Sequence, residues 1–222
     1  MNQAPAVSAR MSAQTKPRLR GRFHQAAFFV CIPAALALII IAPGAKARVG
    51  AVVYGAALLL QFGASAMYHL GDWCDEAYIR MRRLDHSMIF VLIAGTYTPM
   101  CLVAVHGTGS TVVLGLVWVG AAVGIITKLY RVDLHVLSGI MYVGMGWLAI
   151  FVLPALARAL SNVGLGLVIT GGALYTLGAL VLATHRPNPW PKTFGYHEVW
   201  HAFTIVAAAC LYAAIFMLYL SA

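Results

Sequence analysis

The chain has 222 residues, 62% of them hydrophobic and only 9% charged, with a formal net charge of +9. A soluble domain of this length carries roughly 25% charged residues, and the stretch from His86 to Thr127 contains no Asp, Glu, Lys or Arg at all. These values exclude a soluble enzyme, a disordered chain and a disulfide-stapled secreted module, and leave a polytopic membrane protein. The positive charge does not point to nucleic acid, because the basic residues sit between apolar runs and follow a side rule. The cysteines Cys31, Cys74, Cys101 and Cys210 form no C-x-x-C, and three lie inside apolar runs, so all are read as free thiols.

A helix needs about 20 apolar residues to cross a bilayer. Seven runs qualify, at roughly 24–42, 49–70, 84–105, 110–127, 134–154, 163–183 and 195–220. Between them lie Pro, Gly and charged residues that signal turns, such as Pro43-Gly44-Ala45-Lys46 and the block from Gly71 to Arg83. The first run is longer than the apolar part of a signal peptide, although Ala45-Lys46-Ala47 imitates a cleavage site, so it is expected to be a retained helix. Pro33 and Pro99 fall within spans, where neighbouring helices absorb a kink. Gly120 and Gly124 form a GxxxG that predicts close helix packing. The expected fold is all-α: a seven-helix membrane domain over residues 24–222, preceded by a basic tail over 1–23 suited to anionic lipid headgroups.

Orientation follows from Lys and Arg. The tail and the second, fourth and sixth loops carry twelve, and the opposite side carries three: Lys46, Arg48 and Arg158. The expectation is a multi-pass protein of the plasma membrane with its N-terminus in the cytoplasm and its C-terminus outside.

Ionisable groups inside spans are costly, of the order of 3 kcal/mol for Asp at mid-bilayer, and so ask for a reason. Ser65 and His69 fall near the cytoplasmic end of the second span. Asp85 and His86 lie in the first turn of the third, and His197, Glu198 and His201 in the first two turns of the seventh. Three spans distant in sequence thus bring polar groups to one depth. Ser65 and His69 are i and i+4, as are His197 and His201, so each pair shares a helix face. Two histidines one turn apart can hold one metal ion, and a third imidazole from His69 completes a three-nitrogen set, the catalytic pattern for zinc. His86 is a rival ligand, but lies about 100° around the helix from Asp85.

His197-Glu198-Val199-Trp200-His201 also spells the H-E-x-x-H of metalloproteases, yet no Asp, Glu or His follows His201 to supply a third ligand. Glu198 is then either a group of the site or a plain interfacial carboxylate. His24, His106, His135 and His185 read as ordinary interfacial or hydrogen-bonded residues.

Ser65-x-x-x-His69, Asp85 and His197-x-x-x-His201, together with Ala94-Gly95-Thr96-Tyr97-Thr98-Pro99 and Arg186-Pro187-Asn188-Pro189-Trp190-Pro191, resemble the hemolysin III family over residues 20–222. That family is related to the progestin and adipoQ receptors and, more remotely, to alkaline ceramidases. The resemblance implies a seven-helix bundle with one zinc ion near the cytoplasmic face on His69, His197 and His201. It also implies that Asp85 and Ser65 contact or orient a zinc-bound water. The favoured expectation is a zinc-dependent hydrolase of a lipid amide, or less readily an ester, with Asp85 and Ser65 catalytic and membrane lipids as substrate and surroundings. Two other classes stand beside it: a non-enzymatic membrane sensor with structural zinc, and a pore-forming or cytolytic protein.

Overall fold

The computed structural model describes residues 16–105 and 107–222, so most of the basic tail, Arg10 included, and His106 lie outside the described residues. The described chain is almost entirely helical, and its strand-like pairing is a single bridge between Trp190 and Phe194. Helix α1 is Arg22–Ile41, α2 Ala45–Leu70, α3 Asp75–Val103 and α4 Thr108–Tyr130. Helix α5 is His135–Trp147 and runs through a 3₁₀ turn, Leu148–Phe151, into α6, Leu153–Ala159; α7 is Asn162–Thr184 and α8 is Tyr196–Ser221. Six of these are long and apolar enough to cross a membrane, and the α5–α6 pair makes a seventh if it crosses as one bent span.

Two elements depart from the expected spans. Helix α3 starts at Asp75, nine residues before the expected run, so Arg80, Arg82 and Arg83 lie on a helix rather than in a loop. Asp75 and Glu76 occupy its first turn, where carboxylates complement the helix dipole, and no breaker follows them. Its 29 residues make a rod of about 43 Å, longer than the roughly 30 Å hydrocarbon layer. The fifth span is broken, with α5 and α6 inclined at 56°. Pro154 falls at the start of α6, a position open to a residue without an N–H, whereas in the interior of one continuous helix it would remove a hydrogen bond and clash with the preceding turn.

Helices α2 and α3 form the centre, with α1 and α8 packed together beside α2 and α4 against α3. Large apolar side chains such as Phe29, Ile40, Val119, Ile140 and Phe151 stay exposed on the outer faces, as expected for a surface that meets lipid. Small residues let the backbones approach: a Cβ on Gly95 would stand 2.5 Å from the Ala57 Cβ, so α2 and α3 touch at their backbones. The GxxxG divides its work, Gly124 facing Phe90 of α3 and Gly120 facing Met145 of α5. Tyrosine hydroxyls tie helices across the bundle, Tyr219 donating to the Ala47 carbonyl at 2.6 Å and Tyr212 to that of Ala34 at 2.8 Å.

Candidate metal centre

Four helix ends meet at one end of the bundle: the start of α1, the end of α2, the start of α3 and the start of α8. Each i, i+4 pair lies on a continuous stretch of helix. Ser65 and His69 both point inward from the last turns of α2, 1% and 8% exposed, and His201 of α8 is 2% exposed. The His69 and His197 Nε2 atoms are 3.2 Å apart. One ligand nitrogen from each of His69, His197 and His201 can be chosen so that all three lie within 4.8 Å of one another.

This geometry suits a metal ion. Nitrogens about 2.0–2.1 Å from a tetrahedral zinc stand about 3.3 Å apart, close to the observed His69–His197 separation. The His201 Nδ1 atom is buried without a hydrogen-bond partner. Imidazoles of this kind suit zinc, copper, iron or nickel.

Asp85 stands outside that trio. Its carboxyl is buried beside the Ser65 hydroxyl, and Oδ2 is 3.6 Å from His86 Nδ1. Because Ser65 is one turn before His69 on α2, the carboxyl approaches the histidines from the deeper side. His86 does not join the trio: its Nδ1 also lies 2.8 Å from the Arg82 carbonyl, and Tyr142 donates to its own carbonyl at 2.8 Å.

Glu198 is turned away from the histidines and does two structural jobs. It is fully buried, is ion-paired with Arg20, and accepts the Gly195 N–H at 2.8 Å, which satisfies a free donor at the start of α8. The H-E-x-x-H spelling therefore places only its two histidines at the site. Arg20 belongs to a strap that the sequence reads as free tail. Backbone N–H groups of Arg18 and Leu19 donate to the carbonyls of Lys192 and Thr193, at 3.1 and 3.2 Å.

His24 is the residue that sequence reasoning misses. It is 2% exposed, and its ring stacks on His201 with centroids 3.8 Å apart and planes 10° from parallel. The Thr204 hydroxyl donates to the His201 carbonyl at 2.8 Å, so its contact with His24 Nε2 at 3.2 Å must be accepted. That fixes the proton on Nε2 and leaves His24 Nδ1 buried without a partner. The signal that would have found it is depth, since His24 sits in the first turn of the first span at the same end as the other groups.

Fold and site together define a class: a multi-span helical membrane protein with a buried three-histidine group at one end of the bundle. The family model described as Haemolysin-III related matches residues 12–212, and the chain belongs to that family. It is 33% identical over 193 residues to the Hemolysin-3 homolog of Bacillus subtilis (strain 168), covering 85% of this chain and 87% of the relative. Identity is again 33% over 193 residues to Hemolysin-3 of Bacillus cereus, with 85% of each chain covered. The human Monocyte to macrophage differentiation factor is 28% identical over 176 residues, which cover 76% of this chain and 69% of that protein. No solved structure matches.

Proposed function

We propose that the protein is a zinc-dependent hydrolase that cleaves a lipid amide, or less readily an ester, at the end of the bundle where α1, α2, α3 and α8 converge, with that end facing the cytoplasm in the plasma membrane. The observation that carries this reading is the trio of inward imidazoles with a buried carboxyl and hydroxyl one turn deeper. His69, His197 and His201 would hold the ion, leaving a fourth position open as catalytic sites do. Bound zinc would supply Lewis acidity and water made acidic enough to ionise near pH 7.

The other steps belong to the chain. Asp85 takes the proton of the attacking water and returns it to the leaving amine, the work of a general base and then a general acid. Ser65, beside that carboxyl, offers a hydroxyl donor to the oxyanion that develops at the carbonyl. The apolar faces around the site hold acyl chains, which sets the scissile bond at headgroup depth and keeps bulk water away.

The test is release of free fatty acid from a panel of ceramides and other lipid amides by purified, zinc-loaded protein. About one zinc per chain is expected, lowered by His69→Ala, His197→Ala and His201→Ala and untouched by His135→Ala. Asp85→Asn should keep zinc and lose turnover by roughly a hundredfold or more. Equal turnover by wild type and Asp85→Asn removes Asp85 from the mechanism. No product at full zinc occupancy favours the sensor reading, in which the same trio is structural.

Membrane lysis is a second reading, prompted by the names of the two Bacillus relatives. The distribution of charge opposes it. Among the described residues the buried charged side chains are Asp85, ten residues into α3, and Lys128 and Glu198 near the ends of α4 and α8, and no charged stripe lines a path through the bundle. Ion flux in protein-loaded liposomes, absent from empty ones, would favour lysis over hydrolysis.

A further inference from the structure

We infer a separate site for a phospholipid with an anionic headgroup, on the flank of α3 that faces away from the histidines. A groove of about 320 Å³ runs between α3 and α4, with Arg80 and Arg83 at its rim and Ser87, Met88, Ile125 and Leu129 below. Arg80, Arg83 and Ser87 recur at the spacing of one helix face, as do Ile125 and Leu129 on α4. Ser87 lies two residues from Asp85, about 200° around the helix, so the groove and the proposed catalytic carboxyl occupy opposite flanks.

Three observations call for a ligand rather than bare lipid tails. Among the described residues Arg83 enters no ion pair, and its Nε is buried without a hydrogen-bond partner. Arg80 has only Glu76, at 3.4 Å with both side chains largely exposed. Ser87 is 2% exposed and its hydroxyl is also unpartnered. Thr98, Thr127 and Ser138 all donate to the carbonyl four residues earlier in their helices, so Ser87 departs from the local habit.

The chemistry names the occupant. Guanidinium groups pair with phosphate oxygens in a fork that an ammonium cannot match, and basic pockets between spans suit acidic headgroups. Below them the groove is apolar, as an acyl chain requires. A headgroup phosphate on Arg80 and Arg83, with one chain along Met88, Ile125 and Leu129, fills both halves.

The test is lipid retention on the full chain by native mass spectrometry, after exchange into detergent containing phosphatidylglycerol and phosphatidylcholine of equal chain length. Phosphatidylglycerol should be retained in preference. Arg80→Gln and Arg83→Gln should each weaken retention about fivefold, the weight of one basic residue at an anionic surface. Arg80 is exposed enough that its variant does not threaten folding. Ile125→Trp, which fills the chain path, should weaken retention with both arginines intact. Arg48→Gln, at a groove near the start of α2, should leave it unchanged. Equal retention of the two lipids, or a loss from Arg48→Gln as large as from Arg83→Gln, would overturn the site in favour of unspecific attraction to a basic protein. Displacement of the lipid by soluble glycerol phosphate would overturn it as well, because the chain would then contribute nothing.

Discussion

His201 owes its orientation to His24, a residue that carries no metal-binding spacing of its own. The parallel stack at 3.8 Å fixes the plane of the His201 ring, and the bond to Thr204 fixes His24 in turn. Groups that orient a ligand typically change metal affinity 10–100-fold when lost. His24→Ala should therefore weaken zinc binding about tenfold, measured by competition with a chelator, whereas His24→Phe preserves a stacking ring and should keep most of the affinity. If His24→Ala binds zinc as wild type does, the stack is only packing. Gly21 acts from the other side. It caps α1 at φ 79, and a Cβ there would stand 2.8 Å from the His69 Cβ. Gly21→Ala thus combines a left-handed backbone that disfavours side chains with a collision against a candidate ligand. It should lower zinc affinity without touching a nitrogen donor, and unchanged affinity would mean that the strap can yield at no cost to the site.

At the scale of elements, the strap and α8 form one unit through Arg20 and Glu198. Glu198 is fully buried while the Arg20 side chain is 22% exposed, so the two partners are not equivalent. Removing the arginine strands a buried charge, which costs up to about 3–5 kcal/mol for a fully buried pair and less here, because Gly195 still donates to the carboxylate. Arg20→Gln should lower the unfolding temperature in detergent markedly. The double variant Arg20→Gln with Glu198→Gln should be more stable than Arg20→Gln alone, since it removes the stranded charge; a double variant that is worse would mean that the cap, not the pair, holds the strap. This pairing was not legible in the sequence. Periodicity and charge locate spans, and the i, i+4 spacings locate His69, His197 and His201. A contact between residues 178 positions apart leaves no local pattern. The early start of α3 was hidden for the converse reason, since hydropathy marks the bilayer and not the helix, which runs on into polar sequence. The break after α5 was visible only as Pro154, at the edge of the expected span, where a proline reads equally as the end of a helix.

For the whole molecule, the histidines also decide how the chain crosses the membrane. The end of α2 and the start of α8 lie at one end of the bundle, because His69 and His197 touch at 3.2 Å. Between them run α3, α4, the bent α5–α6 pair and α7. Three of these are full-length spans, and three crossings alone would bring α8 in at the far end, a membrane thickness from His69. Counting the bent pair as a crossing restores the meeting, and the prediction is then seven crossings with the two termini on opposite faces. The uneven distribution of Lys and Arg, twelve residues against three, carries the expectation that the N-terminal face is cytoplasmic. Reporter fusions should place the turn between α2 and α3 in the cytoplasm, with the strap, and Ala222 outside. Termini found on the same face would break the parity and, with it, the meeting of α2 and α8. Opposite termini with Ala222 in the cytoplasm would leave the histidine group intact but turn it outward, so that any lipid substrate would come from the outer leaflet.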